Sequence, residues 1–288
     1  MKKISAEKNL EKKNQDSIII INTVPIHKKT MNITINDKLA YYLPFIFKLG
    51  NIQLTDEKEY LSKIRSLSQA ELLKVWKAAL KENLKPEEDT ENPFKAHIAV
   101  SLAVFFAIQG DLPNCSEFLR LIQLKMGHPV ILEIIRCILY CQTTQFDDGL
   151  KLLDNFPVEM ASHPFVLRLK ADIFFAMKDY DKAEILYKKV ANKVPDPSNI
   201  FCRLGEIYLL RDQIDIAKEL LLCSVKLNNK NIMAHLYLGD VYKLKNEIES
   251  AKMEYGICSA IDLDNDISKM AQQKLFLIHC EKEKKEAK

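Results

Sequence analysis

Small and aromatic residues recur along residues 96–265 with a period of 34 residues. When this stretch is aligned in five blocks, the eighth and twentieth positions of every block hold a small residue. The eleventh position is always aromatic and the twenty-fourth is always large. The four columns are Ala103, Cys137, Ala171, Gly205 and Gly239; Phe106, Tyr140, Phe174, Tyr208 and Tyr242; Cys115, Gly149, Ala183, Ala217 and Ala251; and Leu119, Leu153, Tyr187, Leu221 and Tyr255. Self-similarity at a fixed period of this length predicts a repeat architecture.

Each block is predicted to form two antiparallel helices. Positions eight and eleven are three residues apart, and positions twenty and twenty-four are four apart, so each pair lies on one face of a helix. Small residues at positions eight and twenty let the two backbones approach closely, and the larger residues fill the space beside that contact. Pro195 ends the second helix of the third block, because proline cannot continue a helix.

The pattern resembles the tetratricopeptide repeat (TPR) family. The clearest match is Asp172–Pro195, which contains the run KDYDKAEILY, and residues 198–231 are similar. The sequence departs from the family at Arg136 and Lys170, which occupy a position that is normally apolar. The resemblance implies an all-α fold, a right-handed superhelical solenoid of antiparallel helix pairs with an N-terminal helical extension and a C-terminal capping helix.

The predicted domain organisation surrounds the repeats with two other kinds of segment. The parts are a flexible basic arm at 1–30, a partly helical extension at 31–95, five TPR-like repeats at 96–129, 130–163, 164–197, 198–231 and 232–265, and a capping helix with a charged tail at 266–288. Residues 31–50 are expected to dock on the rest of the chain, because they contain an aromatic cluster that would be unfavourable in water. The cluster consists of Tyr41, Tyr42, Phe45 and Phe47.

Composition narrows the class of protein. Of 288 residues, 48% are hydrophobic and 28% charged, which excludes wholesale disorder. The 42 basic and 39 acidic residues are too balanced to predict a nucleic-acid binder. The 7 cysteines include no CxxC pair and favour buried, reduced thiols. Because the apolar runs are too short to cross a membrane and no secretory signal is evident, we expect a cytoplasmic protein without membrane insertion.

Motifs for catalysis and cofactor binding are missing from the sequence. It contains no glycine-rich phosphate loop, no nucleophile elbow and no HExxH zinc motif. Cys137 and Cys141 lie one helical turn apart, but no further cysteine or histidine has ligand spacing nearby, which favours core packing. We therefore expect no enzyme activity, no catalytic residue, no cofactor and no metal site.

The TPR resemblance also implies a binding surface. In TPR proteins the first helices of the repeats line a concave face, mostly through positions two, five, nine and twelve. Carried over to this sequence, the predicted protein-binding groove contains Val100, Val104, Ile131, Ile134, Ile138, Phe165, Arg168, Asp172, Phe175, Glu206, Met233 and Asp240. The groove is apolar in its N-terminal half and polar, with acidic residues, in its C-terminal half.

Two alternatives remain open for the apolar half of this groove. If it is exposed, it fits an amphipathic helix or an extended segment of a partner. Alternatively, the N-terminal segment covers it as part of the core. In either case the expected function is a non-catalytic scaffold, adaptor or chaperone that binds a protein or peptide segment.

The sequence also supports a more specific resemblance and an alternative class of function. Residues 115–140 and 150–169 are similar to the TPR chaperones of bacterial type III secretion, which hold an amphipathic helix of a secreted subunit. The other class is an RNA-associated factor or an accessory enzyme subunit that uses the basic arm. Nucleic-acid binding is not expected, because no aromatic residues interleave with the lysines of that arm. The sequence predicts no oligomeric state.

Overall fold

The structure is a computed structural model that describes residues 35–49, 52–83, 96–127, 129–261 and 266–286. All regular secondary structure in these residues is helical, which confirms the all-α prediction. The described helices are α1 (Ile35–Leu49), α2 (Glu57–Ser66), α3 (Gln69–Asn83), α4 (Ala96–Gln109), α5 (Leu112–Met126), α6 (Pro129–Gln142), α7 (Phe146–Asp154), α8 (Val158–Ala161), α9 (Pro164–Ala176), α10 (Tyr180–Ala191), α11 (Ser198–Leu210), α12 (Ile214–Leu227), α13 (Ile232–Leu244), α14 (Ile248–Ile261) and α15 (Asp266–Glu286).

The turn between the two helices of each block has the same geometry five times. The residue at the fifteenth position has a positive φ between 58° and 72° in every block. The next backbone N–H donates to the carbonyl of the aromatic residue at position eleven, as from Asp111 to Phe106 and from Asp179 to Phe174. This bond satisfies a carbonyl at the end of the first helix and reverses the chain. The five residues are Gly110, Thr144, Lys178, Asp212 and Asn246.

The second helices α5 and α10 begin where an aspartate follows this turn. The side chain of Asp111 accepts a hydrogen bond from the backbone N–H of Asn114, and Asp179 accepts one from Lys182, both at 3.2 Å. A carboxylate in this place satisfies an unpaired backbone donor and interacts favourably with the helix dipole. The polar residues of the turn therefore fix the start of the second helix as well as the reversal.

The small residues of the eighth and twentieth columns meet where the two helices of a block cross. The Cys115 thiol donates to the carbonyl of Ala103, and the Cys137 thiol donates to the carbonyl of Gly149, each at 3.6 Å. A Cβ atom added to Gly205 would lie 2.7 Å from a side-chain carbon of Leu221. These contacts confirm the predicted interpretation of the columns as a close helix–helix approach.

The chain divides into two compact units, residues 33–200 and residues 201–288, with the division inside α11. In the first unit one apolar cluster runs from α1 to α9 and encloses α4, whose residues 98–108 are all buried. In the second unit, apolar clusters join α11 to α12 and α13, and α13 to α14 and α15. The predicted division into an arm, an extension, five repeats and a cap stays a prediction, and the arm lies outside the described residues.

The N-terminal extension contains three described helices, α1 to α3. In α1, Leu39, Leu43, Ile46 and Phe47 are buried in the core of the first unit, as docking of this segment requires. The side chain of Tyr41 lies outside the described part. The helix α1 therefore contributes to the core of the first unit.

The last helix, α15, packs on α13 and α14. Ile267, Ala271 and Ile278 are buried, and the Ser268 hydroxyl donates to the carbonyl of Cys258 at 2.9 Å. Leu277 is 54% exposed, because it lies about a quarter-turn away from the buried stripe. None of the helices in the described ranges is long and apolar enough to cross a membrane.

Candidate protein-binding face

Five apolar residues of the predicted groove lie in the interior of the first unit. Their side chains are at most 1% exposed and belong to the same cluster as Leu39, Leu43 and Ile46 of α1. The five are Val100, Val104, Ile131, Ile134 and Ile138. Their contribution to the core is direct, whereas their role in binding a partner stays a prediction.

Aromatic side chains of α1 cover Phe165, the next predicted groove residue. The rings of Phe45 and Phe165 are stacked, with centroids 4.1 Å apart and planes inclined by 17°, and the ring of Tyr42 meets Phe165 edge-on at 5.6 Å. Phe45 also lies against the imidazole of His163, at 4.5 Å between centroids. Phe165 is left 6% exposed. Such aromatic pairs add to the free energy gained by burying the rings.

The helix α2 covers the first repeat in a similar way. The ring of Tyr60 meets His97 edge-on at 5.6 Å, and its hydroxyl is hydrogen-bonded to the Ser101 hydroxyl at 2.7 Å. Burial raises the pKa of Tyr60 to about 12, so the hydroxyl stays neutral. Of the two alternatives left open by the sequence, the structure therefore shows the covered one: α1 and α2 lie on the apolar face of the first helices.

The predicted polar residues of the third repeat are also engaged within the chain. The hydroxyl of Tyr187 donates to Asp172 at 2.6 Å, and the guanidinium of Arg168 lies 3.9 Å from the same carboxylate. Phe175 is half-buried, and its ring meets Tyr180 edge-on at 5.5 Å. A partner that contacts these residues therefore meets a carboxylate that is already engaged within the chain, beside an aromatic edge.

In the second unit, Glu206 lies in a largely buried polar cluster. The guanidinium of Arg203 donates to the Glu206 carboxylate at 2.7 Å, and both residues are buried. Burial and the neighbouring Glu206 carboxylate raise the pKa of Tyr237 well above its ordinary value. Paired in this way, Glu206 presents little net charge to a ligand.

Asp240 receives two hydrogen bonds from the chain itself. The Tyr255 hydroxyl donates to it at 2.5 Å, and the Lys274 ammonium of α15 donates at 2.6 Å. Met233, the last predicted groove residue, is half-buried and packs against the apolar clusters of this unit. The helix α15 thus neutralises the acidic residue of the last repeat.

The pairing of tyrosine with aspartate recurs at fixed positions of the repeat. Asp172 and Asp240 both occupy position nine, and Tyr187 and Tyr255 both occupy position twenty-four. The fourth repeat has Leu221 in place of tyrosine. These hydrogen bonds were not predicted, although the joint appearance of aspartate and tyrosine in the same two repeats could have revealed them.

The described residues contain no group of three or more His, Cys, Asp or Glu side chains that could hold a metal ion. The Cys137 thiol donates to a backbone carbonyl, and burial raises its pKa to about 12. Cys141 is half-buried, and burial raises its pKa well above the ordinary value. These thiols are therefore protonated and poor nucleophiles.

Comparison with solved structures identifies the fold. Yeast Tom70 matches with a TM-score of 0.58 at 14% identity, over 83% of this chain and 47% of that chain, so this chain spans about half of its length. PilF of Pseudomonas aeruginosa matches with a TM-score of 0.53 at 15% identity, over 65% of this chain and 86% of that one. MamA gives 0.44 at 14% identity, over 54% and 91% of the two chains.

Tom70 and PilF are TPR proteins, and the chain therefore has the TPR fold. No protein-family model matches the sequence, and no curated protein is significantly similar to it. At these identities the likeness extends to the fold alone.

Proposed function

We propose that this protein is a non-catalytic TPR scaffold or adaptor that binds a protein segment on the face formed by the first helices of its repeats. The observation that carries the proposal is that this face already accommodates a helix, α1, in the first unit. The predicted groove residue Phe165 holds that helix by aromatic stacking. A surface that accepts an amphipathic helix of its own chain has the shape and the apolar character to accept one from a partner.

The part of the face left accessible for first contact lies around Phe175 and Asp172 on α9. Both side chains are half-buried, and the Asp172 carboxylate accepts a hydrogen bond from Tyr187 and lies 3.9 Å from the guanidinium of Arg168. Because the acidic residues of the predicted groove are paired internally, we propose that shape and apolar contact select the ligand, with charge in a secondary role. The chaperone hypothesis, including the likeness to type III secretion chaperones, is a more specific version of the same proposal, in which the bound segment is a helix.

Site-specific photo-crosslinking tests the proposal. A photoreactive phenylalanine analogue at Phe175 should yield covalent adducts with a protein partner in the cells that make this protein. The matched control is the same analogue at Ile185, which is exposed on the second helix of the same repeat. Adducts at position 175 that are absent at position 185 support the proposal. Equal adducts at both positions, or none at position 175, would contradict it.

A further inference from the structure

We propose that α1 is an intramolecular ligand, and that the partner's binding segment is an amphipathic helix with two aromatic side chains three residues apart, which competes with α1 for the same face. This inference rests on the proposed function and specifies both its ligand and its regulation. The juxtaposition that carries it is the contact of Tyr42 and Phe45 with His163 and Phe165.

The side chains of α1 are spaced as in a helix that binds a groove. Leu39, Leu43 and Ile46 form one stripe at intervals of four and three, and all three are fully buried. Tyr42 and Phe45 form the neighbouring stripe and place their rings on Phe165. Hydrophobic grooves bind amphipathic helices through apolar side chains at these intervals. The helix α1 therefore displays the pattern that the face accepts.

The aromatic stripe lies at the edge of the contact and the aliphatic stripe at its centre. Tyr42 and Phe45 are half-buried, whereas Phe165 beneath them is nearly covered. An incoming helix can therefore displace the aromatic contact first and the aliphatic contact afterwards. A competitor with the same anchors replaces each lost contact by an equivalent one, so the apolar face is never left in water.

The helix α1 is weak on its own because Pro44 lies in its interior. Proline has no N–H to donate to the carbonyl four residues earlier, and its ring clashes with that carbonyl. An isolated helix of this length is marginal even without proline. The helical state of α1 therefore depends on its docking, which distinguishes it from α4 beneath it, which is enclosed on all sides and contains no proline.

A peptide of residues 35–49, labelled with fluorescein and titrated into the full-length chain, measures the competition directly. The wild-type chain should bind this probe weakly, because its own α1 occupies the face. Phe45→Ala in the chain removes the stacked ring from the intramolecular ligand and should tighten binding of the probe at least tenfold. Val75→Ala, at an exposed position on α3 of the same unit, is the control and should leave the affinity unchanged. A probe with Tyr42→Ser and Phe45→Ser should not bind.

Hydrogen exchange in the same full-length proteins shows whether α1 opens by itself. In the wild type, the α1 amides should exchange at least tenfold faster than those of α4, and Phe45→Ala should accelerate α1 alone. Equal protection of α1 and α4, with both changed together by the substitution, would show that α1 is ordinary core and would overturn the inference. Should Phe45→Ala fail to fold, Phe45→Leu keeps the apolar volume while removing the stacked ring.

The two proposals fail in different ways. Adducts at Phe175 together with a probe affinity unchanged by Phe45→Ala would retain the scaffold function and reject α1 as its competitor. Absence of both adducts and probe binding, in the wild type and in Phe45→Ala, would reject the two together.

Discussion

Two glycines of the second unit have opposite surroundings although both lie inside helices. A Cβ atom added to Gly239 in α13 would overlap the ring of Tyr255, which is fully buried and hydrogen-bonded to Asp240. A Cβ atom added to Gly256 in α14 would have no neighbour within 4 Å. The first glycine is therefore required by packing, and the second is not.

Gly239→Ala should lower the free energy of unfolding by about 1–3 kcal/mol, because the tyrosine ring cannot shift without straining its neighbours. Gly256→Ala should raise it by up to about 1 kcal/mol, since alanine is the better helix former. Urea denaturation followed by circular dichroism measures both. If the two substitutions changed stability in the same direction, the close approach at Gly239 would not be as described.

The residue columns show how far the sequence alone could go. The close helix–helix approach at the small residues of positions eight and twenty was predicted correctly, because it involves neighbouring helices and recurs in every repeat. The left-handed residue at position fifteen was not predicted. Only Gly110 is a glycine, and Thr144 and Lys178 take the same conformation under the constraint of the flanking helices. Tertiary context there overrides the preference of the residue.

Between elements, a buried histidine joins α13 to α14. Nδ1 of His235 lies 2.7 Å from the Glu254 carboxylate, and Nε2 lies 3.0 Å from the carbonyl of Asn229. Both neighbours are acceptors, so the doubly protonated ring satisfies both contacts. Burial by itself lowers the pKa of His235, but the hydrogen bonds to Glu254 and Asn229 outweigh it and raise the pKa above 6.5.

This link should make stability depend on pH in one direction. Because the folded chain binds the His235 proton more tightly than the unfolded chain, the stabilisation is complete below about pH 6.5 and is lost as the pH rises through the raised pKa. Each unit of pKa shift corresponds to about 1.4 kcal/mol. The urea denaturation midpoint of the wild type should therefore fall as the pH rises from about 6.5 through the raised pKa of His235. His235→Gln should remove the part of this fall that is due to the histidine. An identical pH profile in the variant would contradict the assignment.

The helix α1 shows what sequence reasoning could not decide between elements. Its apolar pattern predicted that it docks, and the groove columns predicted an apolar face. Whether α1 covers this apolar face depends on contacts between residues far apart in the chain, such as Phe45 and Phe165. The repeat period does not predict such contacts. The polar residues illustrate the same limit, because the partners of Asp172 and Asp240 follow from side-chain geometry.

At the scale of the whole molecule, Ile134 and Ile138 test the covered face. Both are fully buried in the core of the first unit. Ile134→Asp combined with Ile138→Asp places two unpaired carboxylates there, and each costs several kcal/mol. We expect the helical circular dichroism signal to fall and hydrogen-exchange protection to be lost across residues 35–200. A variant that kept native helicity and protection would indicate that the face is open.

The long separation between α1 and its docking surface has a consequence during synthesis. The hydrogen bonds and small-residue contacts within a repeat join residues 12 to 15 positions apart, so each hairpin can form soon after it leaves the ribosome. Phe165 is made about 120 residues after Phe45, which at 5–20 residues per second is a delay of roughly 6–24 s. During that interval the rings of Tyr42 and Phe45 lack the aromatic partner on which they pack, although α4 is already made, and the nascent chain displays these rings while its first repeats form.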